Sequence, residues 1–258
     1  MSARRPLAAV PVALCLLATA MVASVRALPL ARTANAAPNV QTMIVGSGGT
    51  ILAQAATVAA APTAVQVGGK SCSVDGATPL AALAAIRRAG GPGFALRDYG
   101  RCGSSPVNSG ELFVYSLGGE SNSGQNGWEY KVDDISGSTG AGDPSGSRGN
   151  GRRLTSGERV LWFWCEATSG GCERTLEVFT SAGSLSAGHT LTVTVKGYDN
   201  EGRGVPVAGA IVTVGSDFAS TAANGRASLI LPSSRGSYQL SATRHGMVPS
   251  FPETVVVR

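Results

Sequence analysis

Leu191-Thr192-Val193-Thr194-Val195-Lys196 alternates apolar and polar residues without a break. Successive side chains of an extended chain point to opposite faces, so the stretch predicts a half-buried strand with Leu191, Val193 and Val195 turned toward a core. Working outward, further apolar runs at residues 176–179, 208–214, 227–231, 238–242 and 254–257 are divided by turn signals. Among these are Asp199-Asn200-Glu201-Gly202 and Asn224-Gly225, the latter a strong hairpin signal. About seven short strands with almost no helix signal predict an all-β sandwich over residues 173–258.

Upstream the pattern changes. Thr78 suits a helix N-cap and Pro79 a first helical position; Leu80, Leu83 and Ile86 follow before Gly90-Gly91 stops the run. Apolar runs at residues 94–96, 111–117, 128–132 and 159–165, separated by Gly, Ser, Asn and Pro, read as strands. One helix followed by about four strands predicts an α+β fold over residues 64–172, a small β-grasp-like sheet with one covering helix. Residues 37–63 carry no charge; the Ala-rich part has no cap and Gly48-Gly49 interrupts it, so the segment reads as a linker or a weak edge strand.

The amino terminus skews the averages of the 258-residue chain. Arg4 and Arg5 precede an apolar run over residues 6–25, and Ala34-Asn35-Ala36 supplies small residues at −3 and −1, the pattern of a secretory signal peptide cut after Ala36. An uncleaved anchor is the rival reading, since twenty apolar residues can span a bilayer. Cys15 lacks the small residue expected before a lipidated cysteine. Removing residues 1–36 leaves 17 basic against 16 acidic residues, a net charge of +1 in place of +5. The basicity therefore belongs to the signal, and a near-neutral remainder lacks the attraction that nucleic-acid binding requires. Arg148, Arg152 and Arg153 form one local cluster, read as a solvated loop.

Four cysteines remain: Cys72, Cys102, Cys165 and Cys172. An even number in an exported chain predicts two disulfides. Three pairings are possible; Cys72 with Cys102 and Cys165 with Cys172 each close a nearby segment and are favoured, whereas the spacing does not match the paired Cys-x-x-Cys of structural zinc. The Gly/Ser-rich loop over residues 133–153 holds Asp133, Asp134 and Asp143, but not the ligand order of a calcium loop. Chemistry is otherwise sparse. His189 and His245 stand alone in turn-like sequence, and no nucleophile elbow, zinc-protease His pair or phosphate loop occurs. The expectation is a protein that is not an enzyme and carries neither metal nor cofactor.

The candidate binding residues are aromatic. Trp128 and Tyr130, and likewise Trp162 and Trp164, are two apart, so each pair shares a sheet face. Together they would make a platform for a flat ring or a sugar; packing in the core or between domains is the plainer alternative. Leu161, Phe163 and Cys165 make the opposite face apolar too, so something besides the helix must cover one side, for which the N-terminal segment is the candidate.

Two family resemblances rest on these stretches. Thr78-Pro79-Leu80-Ala81-Ala82-Leu83, Leu112-Phe113-Val114-Tyr115-Ser116-Leu117 and Gly127-Trp128-Glu129-Tyr130-Lys131-Val132, followed by residues 154–162 with Gly157-Glu158, resemble in order the transcobalamin C-terminal-like domains. Val205-Pro206-Val207-Ala208-Gly209-Ala210-Ile211-Val212-Thr213-Val214, residues 221–231 and Tyr238-Gln239-Leu240-Ser241-Ala242 resemble a carboxypeptidase regulatory-like or bacterial Ig-like domain. The first resemblance implies a corrinoid ligand, but the helical barrel that covers the ligand's other face in that family is missing. The second implies a spacer or adhesion module without chemistry of its own. The expected function is a secreted or cell-surface, non-enzymatic binding or display protein, with a corrinoid-like small molecule bound on the aromatic platform as the alternative. Its partner would be an extracellular ligand, a cell-wall glycan or a corrinoid. No stable membrane span is expected once the signal is cleaved.

Overall fold

The computed structural model describes residues 36–147 and 153–258, and in them strands dominate: nineteen strands and one α-helix. The signal segment, Cys15, Arg148 and Arg152 lie outside the described residues. The first lobe contains β1 (Asn39–Val45), β2 (Ile51–Ala59), β3 (Thr63–Val67), β4 (Lys70–Val74), α1 (Pro79–Arg88), β5 (Phe94–Asp98), β6 (Leu112–Leu117), β7 (Glu120–Ser121), β8 (Gly127–Val132), β9 (Ile135–Ser136) and β10 (Arg159–Cys165). Its main sheet has the order β2-β1-β10-β8-β9, beside a hairpin β3-β4 and a three-stranded sheet β5-β6-β7.

The segment read as a linker or edge strand carries an inner strand. β1 runs parallel to β10, with Thr42 opposite Val160 and Ile44 opposite Trp162, and antiparallel to β2 on its other side. Val40, Met43, Ile44 and Val45 are buried on both faces of the sheet, which is why the run carries no charge and shows no alternation. The Ala-rich residues form the edge strand β2 because β1 offers them a ladder, which outweighs alanine's preference for helix.

Helix α1 begins as its sequence dictates. The Thr78 hydroxyl accepts a hydrogen bond from the Ala81 N–H at 3.2 Å, and Pro79 opens the first turn. Leu80 and Leu83 are fully buried, and the helix lies against β1, β2 and β3. The turn Gly68-Gly69 between β3 and β4 takes positive φ at both residues, +55° and +84°, which glycine adopts without strain. A disulfide joins Cys72 on β4 to Cys102, in the loop after β5.

The second lobe contains β11 (Thr175–Thr180), β12 (Ser184–Leu185), β13 (Thr190–Tyr198), β14 (Gly204–Pro206), β15 (Ile211–Val214), β16 (Asp217–Ser220), β17 (Arg226–Ile230), β18 (Gly236–Thr243) and β19 (Glu253–Val257). One sheet has β11 and β14 flanking β13, with β17 also paired to β13; the other has the order β12-β19-β18-β15-β16. Leu191, Val193 and Val195 share a core with Val212, Val214, Leu240 and Val255, so the apolar face of alternating β13 meets the second sheet of a sandwich. Asn224-Gly225 turns the chain tightly, yet it does not make a hairpin. The strands flanking it, β16 and β17, belong to different sheets. A side chain at position 225 would meet the Val195 carbonyl at 2.7 Å, so the glycine serves a close crossing of backbones.

The lobes are joined through the outer face of the first sheet. Met43, Val45, Leu161, Phe163 and Cys165 pack with Val248 and Phe251, so the cover comes from the second lobe and not from the N-terminal segment. Lys131, fully buried, donates from Nζ to Thr175 Oγ1 and to the carbonyls of Tyr198 and Asp199, at 3.1, 3.1 and 2.8 Å. The Ser136 N–H donates to the Asn200 carbonyl at 2.9 Å. A disulfide, Cys165–Cys172, spans the connection itself. No helix among the described residues is long and apolar enough to cross a membrane.

Candidate functional site

The spacing of the four aromatics does bring them together. β8 and β10 pair antiparallel with Tyr130 opposite Trp162 and Trp128 opposite Trp164. The Tyr130 and Trp162 rings lie 5.5 Å apart and tilted; those of Trp128 and Trp164 meet edge-on at 5.8 Å. Such pairs contribute beyond simple burial. They are not an open platform, however. Trp128, Tyr130 and Trp162 are buried in one core with Leu80 and Leu83 of α1 and Leu112 and Val114 of β6, and only Trp164 is half-exposed. Trp128 Nε1 donates to the Glu120 carbonyl at 3.0 Å, and the Tyr130 hydroxyl donates to the Thr139 carbonyl at 2.8 Å. Burial pushes the Tyr130 pKa up to about 12.

Packing around this layer is incomplete. β6 and β8 belong to different sheets, and between them lies a cavity of about 250 Å³ with walls of Trp128, Tyr130, Trp162, Leu112 and Phe113, closed on one side by Thr139-Gly140-Ala141. Trp162 is 1% exposed, and its indole N–H has no hydrogen-bond partner. A second cavity, of about 330 Å³, shares Thr139 and Gly140 with the first and is lined by Asn108, Glu111 and Asp143. The dividing loop needs its glycine. A Cβ at Gly140 would sit 1.7 Å from the Gly110 carbonyl oxygen.

Phe113 is 40% exposed where it borders the first cavity, and Tyr99, 66% exposed, lies 6.0 Å from it ring to ring. The Arg97 guanidinium stacks on Tyr115 at 4.7 Å. Reading the sequence for tryptophans missed this exposed aromatic strip. The signal was present in Leu112-Phe113-Val114-Tyr115, where apolar residues alternate with aromatics and so put the latter on the outer face.

No family model and no curated protein matches the chain. Among solved structures, the D00-D0 domain of Intimin is similar over 64% of this chain and 78% of that chain, with 16% identity and a TM-score of 0.26. At that level the likeness carries no argument. The transcobalamin-like resemblance gains no support from these comparisons.

A cavity of about 550 Å³ lies between the lobes and gathers Asp133, Asp134, Arg159, Glu177, Phe251 and Glu253. Asp133 and Asp134 form the turn between β8 and β9, and the Asp133 carboxylate accepts the Arg159 backbone N–H at 3.0 Å. The Arg159 guanidinium bridges Glu177, at 3.4 Å, and Glu253, both from the second lobe, and lies over the Phe251 ring. Burial raises the carboxyl pKa values of Asp134 and Glu177, and for Glu177 the nearby Asp134 adds to it. These groups hold the lobes together. Asp143 lies apart from Asp133 and Asp134, in the second cavity, and among the described residues no group of three His, Cys, Asp or Glu side chains is placed to hold a metal ion. His189 and His245 are exposed in turns, and all four described cysteines are in disulfides.

Proposed function

We propose that the chain works outside the cytoplasm as a non-enzymatic surface module, in which the helix-bearing lobe binds and the β-sandwich holds it at a fixed angle. The signal-like amino terminus and the two disulfides favour export. The observation that carries the display role is the joint. An apolar contact, a buried lysine with three acceptors, a two-carboxylate arginine and a disulfide across the connection all resist hinge motion between the lobes. Free domain pairs have polar interfaces and move by default. The α+β, β-grasp-like description suits the first lobe to the extent that one helix lies on its strands.

Corrinoid capture has nothing to favour it. The aromatic face is covered, and a cavity of about 250 Å³ falls below the size that takes a drug-sized ligand, let alone a macrocycle.

Fractionation of producing cells with thiol alkylation, followed by limited proteolysis, tests the proposal. The protein is expected outside the cytoplasm, with no free thiol at the four disulfide cysteines, and uncut between residues 166 and 174 while oxidised. A cytoplasmic, thiol-bearing protein would overturn the reading. So would ready cleavage into two lobes under oxidising conditions.

A further inference from the structure

We propose that the joint between the lobes is a pH-sensitive clamp, tightened by a proton that Glu177 of the second lobe shares with Asp134 of the first and loosened when both carboxylates ionise. This rests on the joint holding the lobes at a fixed angle, and names what regulates it.

Carboxylates outnumber cations at the joint. Asp133 and Asp134 on the turn after β8, Glu177 on β11 and Glu253 on β19 line one cavity with a single guanidinium, that of Arg159 on β10. Arg159 is taken by Glu177 and Glu253. The ammonium groups nearby are engaged elsewhere: Lys131 of β8 by Thr175 and two carbonyls, and Lys196, opposite Glu177 in the β11–β13 ladder, over the Phe179 ring at 5.3 Å. Asp199, just after β13, is tied to Arg174 at 3.6 Å.

What remains to Asp134 is Glu177 itself. The two side chains hydrogen-bond across the joint, and the Tyr198 hydroxyl donates to Glu177 from within the second lobe. A carboxylate can only accept, so a bond between two carboxyl groups exists only while one of them holds a proton. With that proton on Glu177, Glu253 keeps Arg159 paired and the lobes are tied at one more point. With both groups ionised, two negative charges meet in half-buried surroundings, where solvent screens them less than at an open surface.

The surroundings favour the shared proton. Burial raises the pKa of both carboxyls, and the charge of Asp134 raises that of Glu177 further; Lys131 opposes the shift at Asp134, and Tyr198 and Arg159 oppose it at Glu177. A native pKa above the unfolded one means that closing the joint takes up a proton. The clamp is therefore complete below the ordinary carboxyl range, at about pH 4, and is lost as pH rises through the higher native values.

Amide hydrogen exchange at Ser136 reads the clamp, because this N–H donates across the joint to the Asn200 carbonyl at 2.9 Å. The Val195 N–H, bonded to the Gly225 carbonyl inside the second lobe at 2.8 Å, is the control. Protection, corrected for intrinsic exchange, is compared at about pH 5 and about pH 7, both below the Lys131 pKa of about 8. Protection at Ser136 is expected to fall about tenfold or more toward the higher pH, the effect of one pKa unit, while Val195 stays level. Glu177→Gln gives Asp134 a permanent amide donor and should hold Ser136 at its acid-form protection at both pH values. Equal protection at both in the parent chain would overturn the proposal, as would a pH dependence that persists in Glu177→Gln. Should that variant fail to fold, Asp134→Asn supplies the donor from the other lobe and carries the same expectation. A parent chain protected at both pH values and uncut by protease keeps the stiff joint and loses the clamp. One unprotected at both, and cleaved into lobes while oxidised, loses the stiff joint as well.

Discussion

The two lobes are filled with side chains of different kinds. In the first, Trp128, Tyr130 and Trp162 share a core with Ala81, Ala82 and Ala84 of α1; in the second, Val193, Val195, Val212, Val214, Leu240 and Ala242 interdigitate between two sheets. Small aliphatic residues of similar size close a sandwich evenly. The first core keeps a cavity of about 250 Å³ lined by Trp128, Tyr130 and Trp162.

The widest test of this contrast is truncation of each core. Trp162→Ala should cost about 3–5 kcal/mol in chemical denaturation, and Val212→Ala about 2 kcal/mol, the worth of the hydrocarbon removed. Equal losses would mean that the first core collapses around its gap, and the contrast would fail.

Next come the disulfides. Cys72–Cys102 closes 30 residues and Cys165–Cys172 only 7. On loop entropy, replacing the first pair by serine should cost about 4 kcal/mol and the second about 2 kcal/mol. A larger loss from the second pair, measured by the same unfolding curves, would show that the joint matters more to stability than the first lobe's own staple.

Lys131 tests the joint directly. Lys131→Met strands two carbonyls and the Thr175 hydroxyl without their donor, at an expected cost of about 2–3 kcal/mol. Its pH signature has a definite sign. Burial lowers the lysine pKa from 10.5 to about 8, with Asp134 and Asp199 opposing the shift. Between those values the unfolded chain holds a proton that the native chain has released, so stability should rise from about pH 8 to pH 10.5. That rise should be absent in Lys131→Met. A parent chain whose stability is flat over this range would place the ammonium in better-solvated surroundings than the geometry gives.

The smallest effects come from the surface. Phe113 in the first lobe and Phe218 in the second are both exposed, at 40% and 70%. Phe113→Ala and Phe218→Ser should each change stability by less than about 0.5 kcal/mol.

Some of this was legible residue by residue. Thr78-Pro79 marks the start of α1 because a cap needs only its next three residues. The pairs Trp128/Tyr130 and Trp162/Trp164 share a face because strand geometry is local. Whether that face is open is a different kind of question, since it depends on β6 and α1 folding back over it. Both faces of β10 are apolar in sequence, yet the cover for Phe163, Val248 and Phe251, comes from the far end of the chain. The uncharged run from Asn39 to Val45 gave no sign of being an inner strand, because a strand buried on both sides loses the alternation that reveals one.

The amino-acid order by itself determined where strands alternate, where the helix begins, which cysteines lie close enough along the chain to pair, and which aromatics share a face. Each follows from contacts over a few residues or from the fixed period of an extended chain. Only the tertiary structure decided that β1 sits between β2 and β10, that Asn224-Gly225 crosses between sheets, that the tryptophans lie beneath a roof, and that a gap remains beside Trp162. Those depend on non-local packing, where the partner's volume and direction are set by residues a local pattern does not contain.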